Sequence, residues 1–351
     1  MSSPRLYTAI SLTLLIIVGL GSYFWRDDSP APSPSVTQGY AKALALAHNG
    51  QPGAARVLYQ QLARRDLSSI RRASLHAELP NYPSPQALKL ADHDLQHQDP
   101  LVRRAAIASI AALVPGPQRS LLLGPLLDDE EQSVRFAAVD ALLGLSPDEI
   151  GLYFAPLQHA LDQYEAALEA QIDDSAAQVH LARLYAHEKD YAPAANALER
   201  ALKLAPDDLD ALATQVQLLD DQGQVDASRA VLAQALQRHP ESAFLQHELG
   251  RWLMRHNQHE YALLAFARAL ELEPDNSDYR YTLATSLHAL EQVDAAQRQL
   301  ETILTRQPAN RRARVLLIEY WKETGQLQNV QVLLAQLEQQ NPDDPLVQQG
   351  L

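Results

Sequence analysis

Five prolines, Pro206, Pro240, Pro274, Pro308 and Pro342, stand 34 residues apart. A period held over that length without an insertion is a structural unit being counted out along the chain. Each unit buries its apolar face only against its neighbours, so the architecture is an array and not a single closed core. Setting each proline as the thirty-second residue of its unit starts the frames at Ser175, Leu209, Ala243, Ser277 and Arg311.

Within those frames the small and apolar positions recur. The third unit has Leu249, Gly250, Ala262, Phe266 and Ala269; the first has Leu181, Ala182, Ala194, Leu198 and Ala201; the fourth has Leu283, Ala284, Ala296, Leu300 and Ile303. Small residues at these spacings let two helices of a unit approach closely, and the larger ones fill the layer between units. Gly223 and Gly325 supply turns between helices, and Asp207-Asp208 or Asp275-Asn276 can cap the next helix. The pattern resembles the tetratricopeptide repeat family over five consecutive units. The fifth is the most divergent, with Ile318, Val330 and Leu337 in place of small residues.

A second period lies upstream. Val102-Arg103-Arg104-Ala105-Ala106 recurs 32 residues on as Val134-Arg135-Phe136-Ala137-Ala138, and one step back stands Ile70-Arg71-Arg72-Ala73. Asp99 and Glu131, three residues before each valine, are placed to cap a helix or to pair with an arginine of an adjoining unit. This resembles HEAT-type helical repeats. Residues 37–66 read as one further helix pair turning at Gly50-Gln51-Pro52-Gly53, and residues 151–174 as a connecting helix docked on the first 34-residue unit. Strand-like alternation is absent. The expectation is an all-α chain: an α-solenoid of HEAT-like pairs over 37–150 and tetratricopeptide pairs over 175–344, with one N-terminal transmembrane helix and a short tail at 345–351.

The anchor is expected from residues 6–25, which carry no charge and end in Tyr23-Phe24-Trp25, a length and an aromatic finish suited to spanning a bilayer. Residues 1–5 would form a cytoplasmic tail. Residues 26–36, with Pro30, Pro32 and Pro34, read as an extended stalk. The soluble body would then lie outside the inner membrane, in the periplasm of a bacterial cell.

Composition narrows the chemistry. A net charge of -14 provides no basic footprint for nucleic acid, and the absence of cysteine removes disulfides, thiolate metal sites, thiol nucleophiles and haem attachment together. No phosphate-cradling glycine loop, Gly-x-Ser-x-Gly elbow or His-Glu-x-x-His motif is present. His93 and His97 share a helix face without a third ligand, and His256 and His259 fall in a turn, so both pairs read as solvated. No enzyme, metal or cofactor is expected.

Surface remains as the means of function. The resemblance implies that the first helix of each unit lines a concave groove at its second, fifth, ninth and twelfth positions. Carried onto this chain, the groove for a protein or peptide partner comprises Arg183, Gln217, Phe244, His247, Arg251, Tyr281, Thr285 and His288. Aromatic and arginine side chains are common anchors of such surfaces. The paired Lys and Asn by which some relatives hold a C-terminal carboxylate are missing, since Val179 and Arg183 stand there. The last unit has no full capping helix, which leaves Val332, Leu333 and Leu337 partly uncovered and open to a partner or to self-association. HEAT-type units followed by tetratricopeptide units also look like the C-terminal half of certain periplasmic multihaem cytochrome proteins, whose Cys-x-x-Cys-His sites this chain lacks. These readings combine into a membrane-anchored, non-enzymatic scaffold. The alternative is a periplasmic chaperone-like or assembly factor for cytochrome or redox complexes, pili or export machinery, holding client polypeptides.

Overall fold

The computed structural model describes residues 34–350, so the expected tail, anchor and most of the stalk lie outside the described residues. No described helix is long and apolar enough to cross a membrane. Among the described residues regular structure is entirely helical. The first helix, Pro34–His48, begins inside the stretch read as stalk; proline at a helix start loses no hydrogen bond, because the first amides have no intrahelical partner.

The 34-residue period is written directly into the helices. First helices open at Ser175, Leu209, Ala243, Ser277 and Arg311, and second helices at Tyr191, Val225, His259, Val293 and Leu327. The side chains of Asp174, Asp208, Ser242, Asn276 and Asn310 each accept a bond from a first-turn amide, which locates every first-helix start. Each proline ends a unit by forcing the residue before it out of the helical region: Ala205 sits at φ -136°, ψ 85° and Asn341 at φ -147°, ψ 87°. The turn inside each unit needs a left-handed residue. Gly223 and Gly325 provide it in two units, whereas Lys189, Asn257 and Glu291 adopt positive φ in the other three.

Upstream, helix pairs continue the stack. Pro100–Leu113 is capped by Asp99, as its spacing predicted. Glu131 makes no side-chain cap. The arginine of this unit pairs instead with Asp129 of the next, Arg103 Nη2 to Oδ1 at 2.8 Å. Phe154–Glu169 forms the connecting helix, and its Leu161, Tyr164 and Leu168 join the core that also holds Leu181 and Ala182.

The apolar core is not continuous. One body runs from Ala43 through the connecting helix to the first unit and reaches Leu218, and another runs from Val216 and Leu232 through the third to fifth units. Two small clusters lie at the joints of the second unit, Val179 and Ala201 with Ala211 on the first-unit side, and Leu212 and Ala235 with Leu245 on the third-unit side.

The array then meets its own beginning. Gly53 N–H donates to the Gln339 carbonyl at 2.7 Å, Asn341 Nδ2 donates to the Pro83 carbonyl at 2.8 Å, and Arg311 N–H reaches Asn81 Oδ1 at 3.4 Å. Ala309, at the end of the fourth unit, is buried in the N-terminal core. Burial pushes the Tyr59 hydroxyl up to about 12 despite a bond from Ser84, and Asp343 and Asp344 across this seam raise it further. The C-terminal end is therefore covered, contrary to expectation. Leu333 and Leu337 are buried, Pro345–Gln349 forms a short helix with Leu346 on the core, and only Val332 stays open. Val332 apart, the residues predicted to lie open for self-association are buried, and the chain's own N-terminal repeats meet the last unit through Gly53, Asn81 and Pro83.

Candidate partner-binding groove

The first helices of units one to three bring Arg183, Gln217, Phe244 and Arg251 around one hollow of about 390 Å³. These are four of the eight predicted groove residues. Arg183, Gln217 and Arg251 hold the same frame position in successive units, so the 34-residue period stacks them as a ladder.

Charges in the hollow are paired but accessible. Arg183 Nη2 bonds Asp210 and, at 2.9 Å, Thr214 Oγ1 of the next unit. Arg251 Nη1 lies 3.1 Å from Glu248 Oε1, and Gln217 Nε2 donates to Asp221 Oδ1 at 2.7 Å. Burial opposes ionisation of Glu248, but bonding from His247 and the Arg251 charge outweigh it and hold the carboxyl below its ordinary range. The hollow thus presents donors, acceptors and one aromatic ring, Phe244, with mixed charge.

The other predicted residues go elsewhere. His247 is packed into the joint between units three and four, its ring stacked on Tyr279 at 4.6 Å. His288 stacks flat on Tyr320 at 3.8 Å and bonds Glu323 at 2.7 Å. The Thr285 hydroxyl returns to the Thr282 carbonyl of its own helix. Tyr281 lines a separate hollow of about 460 Å³, where the Arg312 guanidinium lies 3.7 Å above its ring. The carried-over positions five and twelve thus miss this hollow in unit three. The face follows positions two, six, nine and thirteen, one stripe of a helix, which adds Thr214, Glu248, His187 and Asp221. That stripe was available to periodicity alone.

The N-terminal half holds an arrangement that merits a chemical test. His76 Nδ1 lies 3.1 Å from Ser109 Oγ, and His76 Nε2 lies 2.8 Å from Asp94 Oδ2. The connectivity is that of a nucleophilic triad. Ser109 and His76 are each 1% exposed and Asp94 is fully buried, so no substrate carbonyl reaches the hydroxyl. Arg72 also binds both Asp94 oxygens, at 2.8 and 2.7 Å, and neutralises the acid as a structural pair. Elsewhere, His93 turns to Asp94, and His97 accepts from the Asp99 amide. No group of three or more metal-ligating side chains gathers among the described residues.

Residues 186–249 and 253–310 match one tetratricopeptide repeat family, and residues 157–209 match a second. Residues 157–310 thus carry tetratricopeptide repeats. Such domains are typically non-catalytic and bind peptide or protein partners. The matched stretch begins at the connecting helix and leaves 37–150 outside, so no relation to HEAT repeats or to cytochromes is shown. No curated protein sequence matches the chain. Among solved structures it is similar to YrrB, described as a tetratricopeptide protein with an unusual peptide-binding site, at 19% identity over 52% of this chain and 93% of that one, with a TM-score of 0.35. It is similar to a thermophilic tetratricopeptide protein of Thermus thermophilus at 21% identity, covering 58% and 98%, with a TM-score of 0.42. It is also similar to yeast Tom70 at 14% identity, covering 94% and 74%, with a TM-score of 0.47.

Proposed function

We propose that this repeat protein is a non-enzymatic adaptor that binds a polypeptide segment in the hollow of units one to three, and that residues 6–25 tether it to the inner membrane with its body in the periplasm. The observation that carries the binding role is the convergence of Arg183, Gln217, Phe244 and Arg251 from three successive helices onto one accessible surface. Two arginines paired with the acceptors of Asp210, Thr214 and Glu248, with an aromatic ring beside them, suit a backbone with polar side chains better than a purely apolar ligand. The tether rests on the apolar run and on the proline-rich stretch after it.

Two experiments test this reading. A photo-crosslinking residue at Arg251 should capture a discrete partner in cells, and one at exposed Arg298 should not. The neighbouring Gln297 is buried against the Tyr320 carbonyl and would not serve as a control. Equal capture from both positions overturns the groove, whereas a broad smear from Arg251 alone favours client holding over a single partner. Because the chain has no native cysteine, a single cysteine at exposed Arg298 reports topology. Labelling by an impermeant maleimide only after membrane disruption would refute the periplasmic placement.

A further inference from the structure

We infer that the seam between the N-terminal repeats and the fifth unit is a gate, and that it opens about a hinge in the second unit to admit an extended internal segment of a partner sideways into the groove. The inference rests on the groove being the binding surface and adds how that surface is reached.

The closed ring sets the problem. The hollow beside Tyr281 is lined by the first helices of units four and five on one side and by Pro80 and Ala112 of the N-terminal half on the other. The first-helix face of the array therefore looks inward, towards the N-terminal repeats. A segment in the middle of a longer chain reaches an inward-facing groove only by threading an end or by passing through an opened wall.

The seam is the wall built to open. Among the described residues three hydrogen bonds cross it, and of units three to five only Ala309 enters the N-terminal core. The joints between units three, four and five are different, because one apolar body runs unbroken from Trp252 to Leu333. Free energy of local opening follows the apolar contact that must be broken, so the seam gives way first.

The hinge lies on the far side of the ring. Leu218 of the second unit belongs to the N-terminal core, whereas its Val216 and Leu232 belong to the C-terminal one. What lies between is two separate small clusters, Val179 with Ala201 and Ala211 and Leu212 with Ala235 and Leu245, edged by partly buried residues such as Leu202 and Val231. Two well-packed arms joined through a thin layer give the geometry of hinge closure. The Arg183–Thr214 and Phe244–Arg251 surfaces sit on either side of that layer, so a segment bound there touches both arms and draws them together.

Gly50 makes the gate testable by one substitution. Its φ is +57°, and a Cβ there would stand 2.8 Å from the Pro308 backbone. Gly50→Ala thus strains the turn and pushes directly against the opposite wall. Spin labels go on a cysteine pair across the seam, Gln60→Cys with Gln336→Cys, and on a pair inside the C-terminal arm, Glu301→Cys with Gln336→Cys. All three positions are exposed. Gly50→Ala should move the cross-seam distance outward beyond the spread of the labels, leaving the within-arm distance and the far-ultraviolet circular dichroism unchanged. Asn341→Ala, which removes the bond to Pro83, should enlarge the same long-distance population and serves where Gly50→Ala loses helicity. An unchanged cross-seam distance in folded Asn341→Ala overturns the gate. That outcome leaves the groove untouched, since the crosslink from Arg251 is read separately.

Discussion

Asp94 is the residue whose loss the N-terminal half can least absorb. Its carboxylate is fully buried and takes two bonds from Arg72, one contact from His76 at 2.8 Å and one from His93 at 3.1 Å. Asp94→Asn preserves the volume but removes the charge, and its amide NH₂ competes where Arg72 and His76 already point donors. The Arg72 side chain, 8% exposed, is left as an unpaired buried cation. Removing one partner of a buried pair costs about 3–5 kcal/mol. That is a large share of the ~5–15 kcal/mol that holds a domain together. Trp252 and Trp321 both lie in the C-terminal arm, so with Trp25→Phe as background their fluorescence reports that arm alone. Urea melts followed by circular dichroism should shift early and lose part of the helix signal while the fluorescence midpoint stays near that of the parent. Burial raises the Asp94 carboxyl, but His76, Arg72 and His93 outweigh it and hold the group well below the usual carboxylate range. A depressed folded pKa gives stability that is present above about pH 4 and lost as pH falls further. Asp94→Asn should flatten that acid dependence. A loss below about 1 kcal/mol, or dichroism and fluorescence moving together, would refute both the pair's weight and the independence of the arms.

Gly250 faces the buried Phe266 ring, and an added Cβ would lie 2.4 Å from it. Gly250→Ala gains about 1 kcal/mol of helix propensity but overpacks a core ring at about 1–3 kcal/mol, so a lower melting temperature is expected. Glu291 at φ 61° occupies the place that Gly223 and Gly325 hold in other units. Glu291→Gly should stabilise by roughly 0.5–1 kcal/mol in a urea melt, because relief of the left-handed strain exceeds the entropy glycine adds to the unfolded chain. Burial, followed by the Glu188 charge, raises the Glu165 carboxyl to about 7. A raised folded pKa contributes stability fully present below about pH 4.3 and lost as pH rises through 7, so melting temperature should fall from pH 5 to 8 and Glu165→Gln should remove that component of the slope.

The period made the C-terminal half readable to the residue. Prolines and caps act on their own neighbours, so frame starts drawn from sequence coincide with helix starts at Ser175, Leu209, Ala243, Ser277 and Arg311. Side-chain direction was less legible. His247 and His288 occupy frame positions assigned to the groove, yet their rings gain more by stacking on Tyr279 and Tyr320 across a joint than by facing water. The left-handed turns at Lys189 and Glu291 were invisible because the fold imposes φ there against the residue's preference. Only Gly223 and Gly325 advertise the position.

Ring closure lay beyond any periodic argument, and the reason is physical. A repeat pattern constrains contacts between consecutive units, whereas closure depends on the summed rotation over the whole stack. The expected open end was not found, since Leu333 and Leu337 are buried. A solenoid end that lacks a polar capping helix must bury its last apolar layer against something. Here Leu346 of the Pro345–Gln349 helix packs on the last core, Asn341 bonds the Pro83 carbonyl, and Leu337 is buried. Because the seam shares only Ala309 with the N-terminal core and is otherwise joined by polar bonds, the feature that meets the end of the array also gives it a place to part. A fully apolar cap would have made a stronger ring with no lateral route to Arg183, Phe244 and Arg251.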